Sequence, residues 1–185
     1  MDNADKILSL YEKEIRVIVR GKAGAEVEFG NTLLLGEQYD GVIVDWKLIE
    51  EQALSDSALV KESIQRVEAA VQNIKIRALA ADRGFESPTN VQWLKKHRTF
   101  NAMAPRKIEE LKCRLGEQRF RELQKRRAQT EARLAIFKNQ FLGKPMRSKG
   151  FGHRETQTAW GVLTHNLWVI ARLPAAEEKI LKKAA

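Results

Sequence analysis

The distribution of apolar and polar positions divides the chain into a strand-forming first quarter and a mostly helical remainder. From Ile15 to Glu50, the stretches IRVIVR, AEVEFGNTLLLGE and DGVIVDWKLIE are rich in β-branched and aromatic residues. Gly-rich GKAGA and the turn EQYDG separate them, which predicts a hairpin extended to a three-stranded meander. After SDS, where Ser55 or Asp56 is placed to cap, Leu59, Ile64, Val67 and Val71 recur at helical spacing in ALVKESIQRVEAAVQN. The period then changes. IKIRALAA, residues 74–81, reads as a strand covered on both faces. It runs into DRGFESPTN, whose Ser87 and Pro88 suit the start of a short helix, NVQWLKKH, and a brief strand, TFNAMAP, follows.

Between Lys107 and about Leu142 there is no Pro and only Gly116, so one or two long helices are expected. A Gly-rich basic break, GKPMRSKGFG, leads to a last amphipathic helix, RETQTAWGVLTHNLWVIARL, and a polar helical tail, AAEEKILKKAA. Trp160, Leu163, Leu167 and Ile170 recur at helical spacing there and are expected in the core. Strands first, then alternating helices and strands, describe an α/β sheet with antiparallel and parallel parts. At 185 residues the chain fits one domain, 1–185, with a long basic helical region, 106–142, inside it.

Charge sharpens this picture. The formal net charge is +9, and residues 105–154 hold 15 Lys/Arg against 5 Asp/Glu, a local balance of +10, so the rest of the chain is near neutral. A solvated helical face accounts for many such runs, whereas concentration in one segment favours a phosphate-binding surface and nucleic acid as the partner. The single cysteine, Cys113, excludes an internal disulfide and gives no reason to expect an oxidising compartment. MDNADKILSLYEKE lacks the apolar core of a signal peptide, and no apolar run suits a membrane span. His97, His153, His165 and Cys113 match no zinc spacing, and GKAGA is not a phosphate-binding loop of the GxxxxGK[ST] type.

Chemistry enters through two acids. On a helix turning about 100° per residue, Gln124, Arg127, Glu131 and Lys138 form one polar stripe within roughly 60°. Leu123, Leu134, Phe137 and Phe141 form an apolar stripe beside it, which places Glu131 at the margin of the core. An Arg127–Glu131 contact that merely supports the helix would explain the same spacing. The second acid is Asp82 in AADRGF, at the end of a strand of small apolar residues and before a sharp turn at Gly84. Ligand groups gather at such strand ends, although an ordinary Asx turn is the plainer reading of that stretch alone. Together, a strand-end Asp and a helix-borne Glu among basic residues supply what two-metal phosphoryl transfer requires.

Here the chain resembles the bacterial insertion-sequence DDE transposases, a family with a ribonuclease H-like fold. Arg127, Glu131 and Lys138 match the R-(3)-E-(6)-K part of that family's Y-(2)-R-(3)-E-(6)-K signature, with Gln124 at the Tyr position, and ADRGFESPTN matches the segment carrying its second catalytic Asp. RGKAGAEVEFGN, DGVIVDW and Asn166 in THNLWVIARL are also similar. The resemblance implies a mixed sheet flanked by helices and DNA strand cleavage and transfer with Mg²⁺ or Mn²⁺. Asp82 and Glu131 would be catalytic metal ligands, and Arg127, Lys138, Arg147 and Lys149 would contact DNA. It further implies a homo-oligomer acting on element ends and target, in a bacterial cytoplasm near the nucleoid. The family's first catalytic Asp lies on a first strand upstream of the region matched here. The chain is therefore expected to lack that strand and to be catalytically incomplete alone, or to be an inactive DNA-binding protein. Asp40, Asp45 and Asp56 lie in segments that resemble non-catalytic parts of the family. Asn166 would either contact the active site or hydrogen-bond a neighbouring carbonyl.

Overall fold

The computed structural model describes residues 15–22, 25–50, 55–143 and 146–173. Its first strands are β1 (Arg16–Lys22) and β2 (Ala25–Gly30), which pair antiparallel, and β3 (Thr32–Glu37) and β4 (Ile43–Ile49), which form a second antiparallel pair. The expected three-stranded meander is therefore two separate hairpins. The long middle strand breaks at Gly30, whose φ of +152° is rarely open to a residue with a side chain. The GKAGA turn and the polar tail after Leu173 lie wholly or partly outside the described residues.

Helix α1 (Asp56–Ala70) follows, with Ser55 at its N-cap position but making no side-chain cap bond. Strand β5 covers only Ala78–Ala81, shorter than the alternating 74–81 stretch, and each of its residues is half-buried instead of covered on both faces. A single 3-10 turn (Arg83–Phe85) leads to α2 (Pro88–His97). There Ser87 Oγ accepts from Asn90 N–H at 3.2 Å and Pro88 takes the first helical position, as expected. Strand β6 (Phe100–Met103) lies parallel to β5, joined to it by the α2 crossover. The long basic region becomes α3 (Ile108–Leu115) and α4 (Gln118–Ile136), the latter running into a π-helical turn (Phe137–Leu142), and α5 (Phe151–Ile170) closes the described chain.

Two buried clusters hold these elements. One joins Val60 and Ile64 of α1, Leu94 of α2 and Met103 of β6; the other joins Ile43 of β4, Phe137 and Val162 of α5. They share no residue. Polar contacts tie one to the other: Arg66 of α1 grips buried Asp45 of β4 with Nε–Oδ1 2.9 Å and Nη2–Oδ2 2.8 Å, and Ser63 Oγ donates to Oδ2 at 2.6 Å. Hydrogen bonding to Asp45 raises the Arg66 pKa against the opposing effect of burial. Asp45 is thus a structural anion. Asn166 of α5 also settles as structural, since its side chain pairs both backbone groups of Ile43, accepting from N–H at 2.9 Å and donating to C=O at 2.8 Å.

One core expectation fails. Trp160, Leu163, Leu167 and Ile170 are exposed, and α5 packs instead through Thr158, Gly161, Val162, His165 and Val169. The large apolar side chains lie mainly on one face, but the face turned inward carries Thr158, Gly161 and His165 beside Val162 and Val169, so the periodicity pointed to the wrong side. Gly161 favours this orientation: a Cβ there would lie 3.2 Å from the Phe141 carbonyl, tighter than an ordinary contact. No described helix is long and apolar enough to cross a membrane.

Candidate functional site

Asp82 stands at the carboxyl end of β5, exposed, where it caps the 3-10 turn: Oδ1 accepts from Arg83 N–H at 2.8 Å. The neighbouring Gly84 lets Asp56, the first residue of α1, lay its carboxylate against the turn, since a Cβ would fall 2.5 Å from Asp56 Oδ2. The basic helix reaches the same edge. Gln124 Nε2 donates to the carbonyls of Ala102 at 2.5 Å and Ala81 at 3.4 Å, so one amide from α4 bridges both parallel strands where they end. Next along the helix, Arg127 Nε donates to Gln124 Oε1 and Arg127 Nη1 to Glu131 Oε1, each at 3.2 Å. A hydrogen-bonded line therefore runs from the residue before Asp82, through Gln124 and Arg127, to Glu131. Gln124, at the family's Tyr position, is the anchor of that line.

Glu131 is more solvated than its place beside the apolar stripe suggested: its side chain is 69% exposed, while Phe137 in that stripe is fully buried. Lys138 is exposed within the π-helical turn, where the wider helix departs from the straight wheel that aligned it with Glu131. Arg147 and Lys149 are exposed on the segment between that turn and α5.

Part of the basic surplus makes contacts within the protein. Glu37, at the end of β3 and 8% exposed, accepts from Arg126 Nη2 at 2.5 Å and also from Arg133, both on α4. Arg126 Nε further donates to the Tyr39 carbonyl at 2.7 Å. Gly41, at φ +102°, holds a backbone conformation that residues with a side chain rarely adopt, and the Arg133 guanidinium lies against the space a Cβ would take. Arg114 and Arg119 lie over the Phe100 ring, Arg114 also over Phe120, and buried Arg154 donates to Asn31 Oδ1 at 2.9 Å. Sequence reasoning missed the Glu37 clamp. Its one signal is the seven-residue spacing of Arg126 and Arg133, which puts both on one helix face; nothing local connects them to Glu37.

A divalent ion bound by carboxylates needs several hard oxygen ligands. Asp82 and Glu131 are both exposed carboxylates, the first at the end of β5 and the second on α4, seven residues beyond the Gln124 that reaches that strand end. Among the described residues, however, no three His, Cys, Asp or Glu side chains gather closely enough to hold a metal. Asp45 is consumed by Arg66, and Asp40 accepts from Gln38 Nε2 at 2.7 Å and Val42 N–H at 3.2 Å in the β3–β4 turn. The described residues therefore do not complete a metal cage by themselves.

The comparisons with known proteins agree with the resemblance read from the sequence. A family model described as Transposase DDE domain matches residues 41–167, a span that includes Asp82, Gln124, Arg127, Glu131 and Lys138. No curated protein and no solved structure gives a significant match. With more than half of its length matched by that model, the chain belongs to the transposase DDE domain family.

Proposed function

We propose that this chain carries part of a DNA strand-cleavage and strand-transfer centre, with Asp82 and Glu131 as two of its metal-holding carboxylates. The observation that carries this reading is the hydrogen-bonded line that fixes Glu131's helix to the strand end bearing Asp82. Arg83 N–H orients the Asp82 carboxylate, and Arg127 restrains the Glu131 side chain while leaving it open to solvent. Mg²⁺ or Mn²⁺, when bound, supplies nucleophile activation and charge neutralisation at the phosphate. A third acid is not gathered with them among the described residues. Lys138, Arg147 and Lys149, all exposed, are the cations proposed to meet DNA phosphates, in an oligomeric complex with element ends and target.

The lack of a three-ligand cluster among the described residues favours a second reading, a chain that binds DNA without cleaving it. Fluorescence anisotropy on a labelled duplex separates the two. The first reading expects Mn²⁺ to tighten binding by the chain but not by Asp82→Asn or Glu131→Gln; equal binding by all three, with and without Mn²⁺, leaves only the second. On either reading Lys138→Ala, Arg147→Ala and Lys149→Ala each lower the slope of log affinity against log salt by about one. Unchanged slopes would remove those residues from the interface.

A further inference from the structure

Residues 132–154 carry six Lys/Arg and no Asp or Glu, a run of one sign that leads from α4 into α5. Within it, residues 146–149 belong to no helix or strand, so no backbone ladder fixes them. Their exposure nevertheless alternates. Met146, Ser148 and Gly150 are half-buried, whereas Arg147 and Lys149 are exposed, and among the described residues neither cation has an ion-pair partner.

One side chain accounts for the alternation. Gln157, half-buried in the second turn of α5, donates from Nε2 to the Leu142 carbonyl at 2.6 Å and accepts at Oε1 from Ser148 Oγ. Leu142 ends the π-helical turn and Ser148 lies between the two cations, so a single amide ties the segment at both ends. Drawing Ser148 inward turns its neighbours outward, because alternate side chains of a non-helical backbone point to opposite sides. An amide suits this place. A carboxylate of the same length would still accept from the hydroxyl but has no proton for the carbonyl. The outcome is the reverse of that at Glu37, where a buried acid engages Arg126 and Arg133. Here two like charges are held side by side in solvent with no acid near them in sequence, an arrangement that repels itself until an anion with repeated charges lies across both.

We propose that Gln157 is a positioning residue for DNA: its clasp on Leu142 and Ser148 holds Arg147 and Lys149 outward as a preformed pair of contacts to the phosphates of one backbone. This rests on the assignment of those two cations to DNA made above, and adds the uncharged residue through which they are placed. Without the clasp the segment has to be ordered during binding, which lowers affinity while leaving every charge in place.

Limited trypsin digestion and fluorescence anisotropy of the full chain on a labelled DNA duplex of arbitrary sequence test it, with circular dichroism to confirm that each variant is folded. Without DNA, Gln157→Ala should speed cleavage after Arg147 and Lys149 severalfold. An unchanged rate means that the clasp does not hold the segment, and overturns the proposal. With DNA, Gln157→Ala should weaken binding about threefold to tenfold and keep the slope of log affinity against log salt, since no charge is lost. In an Arg147→Ala/Lys149→Ala background the same substitution should have no further effect, because Gln157 acts only through those two residues. Ser148→Ala breaks the clasp from the other side and should repeat both results; it carries the test if Gln157→Ala does not fold. Asn166→Ala, which removes a different amide tie of α5, should leave DNA affinity as it is. A loss that persists in the background lacking both cations, or an equal loss in Asn166→Ala, would make Gln157 a structural residue only. If Arg147→Ala/Lys149→Ala binds like the wild-type chain, the assignment of the two cations falls and this proposal with it; if that variant is weaker but Gln157→Ala and Ser148→Ala are not, the clasp alone is refuted.

Discussion

Two glutamates meet the arginines of one helix under opposite conditions. Glu37 is nearly buried and held by Arg126 and Arg133, whereas Glu131 is largely solvated and, among the described residues, paired with Arg127. Burial makes the first pair of contacts obligatory, since a desolvated charge without partners is very costly. The second contact is a surface ion pair of the kind that adds a few tenths of a kcal/mol. The same residue types on the same helix thus serve two ends: one face of α4 fastens it to the β3–β4 hairpin, and the other holds a carboxylate in the open. A carboxylate that contributes little to stability yet is placed by a chain of hydrogen bonds is a candidate for chemistry.

The contrast breaks if the two glutamates respond alike to substitution. Glu37→Ala removes the carboxylate that Arg126 and Arg133 share and should destabilise the chain by about 3 kcal/mol, read as a lower urea midpoint. Gln124→Ala removes the amide that fastens α4 to the ends of β5 and β6, and should cost about 1–2 kcal/mol. Glu131→Gln should change stability by no more than about 0.5 kcal/mol. Comparable losses for Glu37→Ala and Glu131→Gln would mean that Glu131 is a structural residue.

A third carboxylate sharpens the comparison through pH. Burial pushes the Glu68 carboxyl up, but the Ile76 N–H at 2.8 Å and the His97 ring at 3.0 Å more than reverse this, so its pKa lies below the ordinary value. With the folded value depressed, its stabilisation is complete above the unfolded carboxyl range of about 4.3 and is lost as pH falls through the lower folded value. Thermal midpoints should therefore fall on acidification in the wild-type chain, and less steeply in Glu68→Gln.

What the sequence made legible follows the range of the interactions involved. The helices, the Ser87–Pro88 helix start, the parallel β5–β6 unit and the apolar stripe that buries Phe137 all arise from local periodicity and turn chemistry. The line from Gln124 to Glu131 was visible as helix spacing, because its members lie within two turns of each other. The Glu37 clamp was not, since its partners are 89 and 96 residues away and every one of them could have been a surface charge. The orientation of α5 was likewise hidden, because its large apolar side chains lie on the face left exposed, while the face turned inward carries Thr158, Gly161 and His165 beside two valines. The break between β2 and β3 turned on the backbone conformation of one glycine inside an otherwise strand-like run.

The central claim is that Asp82 and Glu131 share one divalent ion. Electron paramagnetic resonance of Mn²⁺ titrated into the full chain, Asp82→Asn, Glu131→Gln and the double variant tests this most directly. Each single variant should weaken binding by about tenfold or more, roughly 1.4 kcal/mol, and the double variant should be little weaker than either, because both ligands serve the same ion. Single variants that bind Mn²⁺ as the wild-type chain does, or losses that simply add, would contradict the account.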